Sequence, residues 1–201
     1  MRVTGSAILV LILFMITCCG PNKEDALKVG SAIKAKYFKM EQNGWKSFTH
    51  TQNIDEINYT ATQVPLDYYI LKKEGIDDLN KADSISKANE EERIIEFEFL
   101  HEEEQDLLKD EKARLDYESA IKYMSFNIKD DFYLVTASHD TIRSEGVLFE
   151  RTFNVSPSNK LLIFFSGVKA NQPVQLVYDD KLFGKGVLKF NFKEKITKIL
   201  L

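Results

Sequence analysis

Cysteine is nearly missing from this chain: there are two, Cys18 and Cys19, side by side near the N-terminus. Everything beyond residue 19 therefore folds without an internal disulfide, and a cysteine-ligated metal or a thiol nucleophile is excluded there. Histidine is almost as scarce, with only His50, His101 and His139. No glycine-rich phosphate loop occurs, and no G-x-S-x-G nucleophile elbow. There is no internal repeat, no low-complexity tract, and no run of about twenty apolar residues, the length a helix needs to cross a bilayer. Positive charge is in deficit as well. The formal net charge is −4, which argues against nucleic acid as the main partner, because phosphate binding calls for a basic face.

What is present is ordinary globular material. Hydrophobic residues make up 44% and charged residues 29%, both typical of soluble domains. The length suits one domain with a substantial core, and a domain of that size can be stable without disulfides. The charge is unevenly spread. Glu74–Glu118 carries 17 acidic against 6 basic residues, and Lys181–Leu201 carries 6 basic against one acidic. Such polarity can orient a partner. An acidic solvated helix beside a lysine-guarded edge strand produces the same pattern.

The N-terminus has its own character. Arg2 supplies a positive charge, and Ala7–Ile16 then runs without a polar side chain. About ten apolar residues match the core of an export signal. Ile16-Thr17-Cys18-Cys19 follows and resembles the lipobox of bacterial lipoproteins: an aliphatic residue, a free position, a small residue, then the cysteine to be acylated. The resemblance implies cleavage before Cys19 and lipidation of its thiol. Cys18 stands where Gly, Ala or Ser is usual, and Cys18 is the alternative anchor, with Met15 and Thr17 then in the key places. Next comes Gly20-Pro21-Asn22-Lys23-Glu24-Asp25, similar to the lysine–acid signal that sends Bacteroidota lipoproteins to the cell surface. The expected organisation is a signal peptide over 1–18, a lipidated tether over 19–30 and one domain over 31–201. The expected location is the outer membrane, held by fatty acyl groups such as palmitate, on the periplasmic face or the cell surface.

Along the domain, Ala26–Gln42 is ambiguous. Val29, Ile33, Tyr37 and Met40 recur at helical spacing, yet Ile33, Ala35 and Tyr37 alternate, and Asn43-Gly44 signals a hairpin turn. Ile57–Val64 alternates loosely and ends at Pro65, as an edge strand would. Tyr68–Leu71 is a short apolar piece, and Ile76, Leu79, Ala82 and Ile85 keep helical spacing. In Arg93–Leu100, Ile95, Phe97 and Phe99 face one way and Glu96 and Glu98 the other. One long helix is expected over about 103–124, with Leu107, Leu108, Leu115, Ile121 and Met124 toward the core and acids at the positive end of its dipole. From Phe132 the period is two: strands over Phe132–Ala137, Val147–Val155, Leu161–Phe165, Val174–Tyr178 and Val187–Phe192, with a turn at Ser156–Asn159. The fold class is α+β: an antiparallel sheet or β-sandwich-like domain, a smaller N-terminal α/β portion, and a β-rich part from 132.

Candidate chemistry is thin. His101-Glu102-Glu103-Glu104-Gln105 begins like the HExxH zinc motif, but Gln105 stands where the second imidazole must be. No metal or cofactor is expected. His139-Asp140, in the polar loop His139–Gly146, has the makings of a general base without a nucleophile motif beside it. Ser-x-x-Lys occurs at Ser31/Lys34, Ser84/Lys87 and Ser119/Lys122, but the Lys-Thr-Gly element that accompanies it in penicillin-binding proteins is absent. Arg151 falls on the apolar face between Phe149 and Phe153, where a guanidinium needs a carboxylate or several carbonyls as a brace. Asp83-Ser84-Ile85 and Asp140-Thr141-Ile142 resemble the Asp-Ser/Thr-aliphatic O-glycosylation site of Bacteroidota, which makes Ser84 and Thr141 modification candidates. Trp45, Tyr68 and Tyr69 are candidate platforms for sugar rings.

The sequence thus points to a non-enzymatic, membrane-tethered interaction or assembly module with an envelope protein as partner. A glycan-binding surface lipoprotein is the alternative, and a hydrolase using the His139 loop is a third.

Overall fold

In the strand Arg93–His101, Ile95, Phe97 and Phe99 are fully buried while Glu96 and Glu98 are only half-buried. One face of this strand meets a core and the other meets charge. That alternation recurs through the molecule and builds two antiparallel sheets face to face. The computed structural model describes residues 48–74, 79–109, 112–150 and 156–193. The strands are β1 (Phe48–Ile54), β2 (Ile57–Val64), β3 (Arg93–His101), β4 (Phe132–Thr136), β5 (Thr141–Arg143), β6 (Gly146–Glu150), β7 (Asn159–Phe165), β8 (Val174–Asp180) and β9 (Gly186–Phe192). They form a five-stranded sheet, β1-β2-β3-β7-β6, and a four-stranded sheet, β5-β4-β8-β9.

The chain passes between the sheets at Ser144-Glu145. Ser144 N–H donates to Phe132 O on one sheet at 3.3 Å, and Glu145 N–H to Phe164 O on the other at 2.9 Å. At the far edge Gln52 Nε2 reaches Lys189 O at 2.7 Å, and His50 packs edge-on against Phe192. Between the sheets lies an aromatic core. Phe97 is within 6.4 Å, ring to ring, of Tyr59, Phe99, Phe132, Tyr178 and Phe190, mostly in the tilted and edge-to-face geometries that aromatic quadrupoles favour.

Two helices, α1 (Leu66–Glu74) and α2 (Leu79–Ala88), cover one end of the outer face of the larger sheet. Leu66, Tyr68 and Tyr69 pack on Ile94, Leu162 and Phe164, and Ile70 and Ala82 join the two helices. The apolar piece Tyr68–Leu71 is thus helical rather than extended. Toward β1 and β2 that outer face is polar, with Thr49 and Thr51 hydroxyls bonded to those of Thr62 and Thr60.

The α+β, sandwich-like architecture agrees with the sequence. The long helix does not form. Residues 102–109 and 112–116 are turns and irregular backbone, and the helix α3 spans only Tyr117–Lys122. A π-helical turn over Tyr123–Asn127 and a 3-10 turn over Ile128–Asp131 continue it. The cause is local. Glu104 adopts a left-handed φ of 57°, which a non-glycine helix interior does not accommodate. Arg114 N–H, which would close a helical turn, donates instead to Leu182 O at 2.9 Å. The helix starts where Asp116 accepts Ser119 N–H at 3.0 Å, a side-chain N-cap. Ile57–Val64 is also placed differently: it lies between β1 and β3, and β1 takes the edge. The supposed loop after His139 contains β5, and β6 is described as far as Glu150. The Asn43-Gly44 turn, Trp45, Arg151 and the Cys18/Cys19 segment lie outside the described residues.

Candidate functional site

Polar and strained features gather at one end of the sandwich, where three segments meet: the β1–β2 turn, residues 101–117, and the β8–β9 loop. The β1–β2 turn is Asp55-Glu56, and both residues have positive φ, 49° and 68°. A two-residue hairpin turn of this hand normally uses Asn-Gly or Asp-Gly, so the acidic pair holds a costly backbone. Charge compensates for part of that cost. Lys185 Nζ donates to Asp55 Oδ2 at 2.8 Å and Lys112 Nζ to Glu56 Oε2 at 2.5 Å. The Lys185 ammonium holds the Asp55 carboxyl below the usual carboxylate range.

His101 lies under this turn, 3% exposed. Its Nδ1 accepts Glu103 N–H at 3.0 Å, and its Nε2 is 2.6 Å from Lys112 Nζ. A metal-ligating histidine donates its second ring nitrogen to an acceptor. Here that nitrogen accepts, so the ring serves as a joint between strand β3 and the turn that follows. Among the described residues no three His, Cys, Asp or Glu side chains converge on a point a metal could occupy.

Behind the turn is a buried carboxylate. Asp180, 2% exposed, accepts four donors: Tyr59 OH at 2.9 Å, Tyr178 OH at 3.0 Å, Phe183 N–H at 2.9 Å and Lys185 N–H at 3.1 Å. Burial and the facing Asp180 raise both phenols above their ordinary range, so they remain donors. Asp180 thereby fixes the β8–β9 loop. Nearby, buried Asp131 accepts from Tyr123 OH and from Lys181 Nζ.

At the opposite end stands a feature the sequence reading passed over. Arg93 has the same parity on β3 as Ile95 and Phe97 and is 2% exposed. Its Nη2 donates to the carbonyls of Lys169, Ala170 and Gln172 at 2.6–2.7 Å, while Nε and Nη1 have no partner. Burial lowers the guanidinium pKa to about 10. Gln63 Nε2 also reaches Ala170 O, at 3.0 Å. Arg93 is therefore a strap across the β7–β8 loop, and it plays the bracing role the sequence suggested for Arg151. The signal was the parity: an arginine at the head of the Ile95–Phe97–Phe99 face.

The other candidates are dispersed. His139 sits exposed in a tight turn with φ 68°. Its neighbours close that turn: Thr136 N–H donates to Asp140 O at 3.0 Å, and Ser138 Oγ to Asp140 Oδ2 at 2.5 Å. Ser119 Oγ is engaged by Asp116 at 2.7 Å, as part of the helix cap. Tyr68 and Tyr69 are half-buried, and Tyr69 packs edge-on against Phe164 at 5.9 Å. Ser84 on α2 and Thr141 on β5 are both exposed.

No protein-family model matches the chain, and no curated protein matches it. Two solved structures are similar. One is a DUF4426 family protein from Pseudomonas aeruginosa PAO1, at 8% identity and a TM-score of 0.38, with 74% of this chain and 94% of that one covered. The other is a novel protein of unknown function from Burkholderia pseudomallei K96243, at 12% identity and a TM-score of 0.36, with 84% and 88% covered.

Proposed function

We propose that the protein is an envelope lipoprotein, anchored to the outer membrane through acylated Cys19, whose two-sheet domain acts as a non-enzymatic interaction module. One observation carries the reading: Arg2, the apolar run Ala7–Ile16 and the sequence Ile16-Thr17-Cys18-Cys19 follow one another in the order an export signal and lipobox require. Two or more acyl chains hold a protein stably at a bilayer, so the domain needs no apolar membrane-binding surface of its own. Among the described residues no helix is long and apolar enough to cross a membrane. The interaction role is supported by side-chain use. His101 is committed to holding backbone, Ser119 to the Asp116 helix cap, and Asp131 and Asp180 to anchoring side chains and a loop. The Asp55–Glu56 turn instead presents two lysine-paired carboxylates on a strained backbone.

Detergent-phase partitioning of the protein from its native envelope tests the anchor. The wild type and Cys18→Ala enter the detergent phase, and Cys19→Ala moves to the aqueous phase or accumulates unprocessed. Equal partitioning of Cys19→Ala and wild type contradicts anchoring at Cys19. Protease treatment of intact cells separates the two faces of the membrane: digestion places the domain outside, and full protection places it in the periplasm.

A further inference from the structure

Asp180 fixes the amides of Phe183 and Lys185, and so holds Gly184 between them at φ 71°. The guanidinium of Arg114 lies flat against this glycine. A Cβ at residue 184 would fall 2.0 Å from Arg114 Cζ and Nη2, so the guanidinium as placed uses the space that a glycine leaves open. The Arg114 backbone is pinned as well, through its N–H to Leu182 O at 2.9 Å. Among the described residues this exposed guanidinium makes no hydrogen bond or ion pair, although it belongs to the acid-rich stretch Glu74–Glu118.

Arg114 forms one wall of an open groove of about 650 Å³ floored by Leu108 and Leu115 and flanked by Lys109 and Tyr117. That volume falls within the range of roughly 300–1,000 Å³ common for small-molecule sites. Leu115 and Tyr117 are each 37% exposed, and Lys109 Nζ stands 5.5 Å from the centre of the Tyr117 ring. Among the described residues that line the groove the one acid is Asp116, which already accepts from Ser119 N–H and Oγ. The groove therefore offers a planar cation packed against Gly184, a second cation in Lys109, which also stands 3.8 Å from Asp106, and an apolar floor beside an aromatic ring.

We propose that this groove binds an organic carboxylate with an apolar body, the acid paired with Arg114 and the body laid over Leu115 and Tyr117. A guanidinium matches a carboxylate in a two-bond fork, which an ammonium cannot reproduce. The proposal rests on the groove alone and stands apart from the membrane anchor.

The test uses the full chain in non-ionic detergent, with 1-naphthoate as probe and 1-naphthalenemethanol as its uncharged counterpart, followed by equilibrium dialysis against protein-free detergent. Naphthoate binds saturably to the wild type, and Arg114→Gln weakens it by at least about tenfold, the loss expected for a charge-assisted hydrogen bond. Arg114→Lys restores part of the binding, and the alcohol shows no difference between wild type and Arg114→Gln. Leu115→Glu, which sets a negative charge on an exposed part of the floor, abolishes naphthoate binding independently of any Arg114 variant. Naphthoate binding that is absent from the wild type, or equal in wild type, Arg114→Gln and Leu115→Glu, overturns the proposal.

Discussion

Two buried charged residues, Asp180 and Arg93, solve the problem of burial in opposite ways. Asp180 meets four donors and no cation, while Arg93 meets three carbonyls and no anion. Asp180→Asn replaces one acceptor oxygen by a donor that faces other donors. It is expected to cost about 2–4 kcal/mol, the order of one or two unsatisfied buried groups, read as a lower midpoint in urea unfolding. Tyr59→Phe removes a single donor and costs about 1 kcal/mol on the same scale. For Arg93→Met the global loss is smaller, because removing an unpaired buried cation offsets part of the lost bonding. Its effect is local: faster amide exchange over residues 168–172 while the β3 amides stay protected. Uniform loss of protection across both would contradict the strap. None of these partners was legible in the sequence. Parity places Arg93 inside the sandwich, but nothing in the chain order says that Asp180 meets Tyr59, 121 residues away.

At the level of elements, alternation is a sound guide and helical spacing a weaker one. β3, β4 and β9 match the period-two pattern, because each buries one face against the opposite sheet, while β7 and β8 bury Leu161–Ile163 and Leu176–Tyr178 on both faces, as central strands do. The long helix fails because Leu107 and Leu108 are buried by a turn, which reaches the core as well as a helix would. Asp106, whose side chain accepts Leu108 N–H at 3.1 Å, competes with the helical ladder in the way short acidic side chains do. β1 and β5 were missed since their signals are Thr and Asn rather than large apolar residues. The true N-cap, Asp116, offers a test with a defined pH sense. The Ser119 amide and hydroxyl hold its carboxyl below the usual range. A depressed folded-state pKa contributes stability that is present above about pH 4 and lost as pH falls through the folded value. Asp116→Ala should lower the urea midpoint at neutral pH, and the difference from wild type should shrink toward zero as acid protonates the carboxylate. A difference that persists unchanged in acid would mean that the carboxylate is not the cap.

On the scale of the molecule, one aromatic core joins the two sheets, and Phe97 is its hub. Phe97→Ala is expected to cost about 3–5 kcal/mol and to lower the unfolding midpoint of both sheets together, as a single transition. Separate transitions would show that the sheets do not share one core. The sandwich class, and the absence of any sequence motif of catalysis, could be read from composition and period alone. The acidic turn at Asp55-Glu56, the Asp180 anchor and the Arg114 groove could not, because each joins residues from segments far apart in the chain. The proposed anchor is the reverse case: its support lies in a short run of sequence and not in the fold. Mass spectrometry of the mature N-terminal peptide, purified from native membranes, tests it most directly. The account predicts a chain that begins at Cys19 and carries a diacylglyceryl group on that thiol. A chain that begins at Met1, or at any residue with both cysteines unmodified, would contradict it.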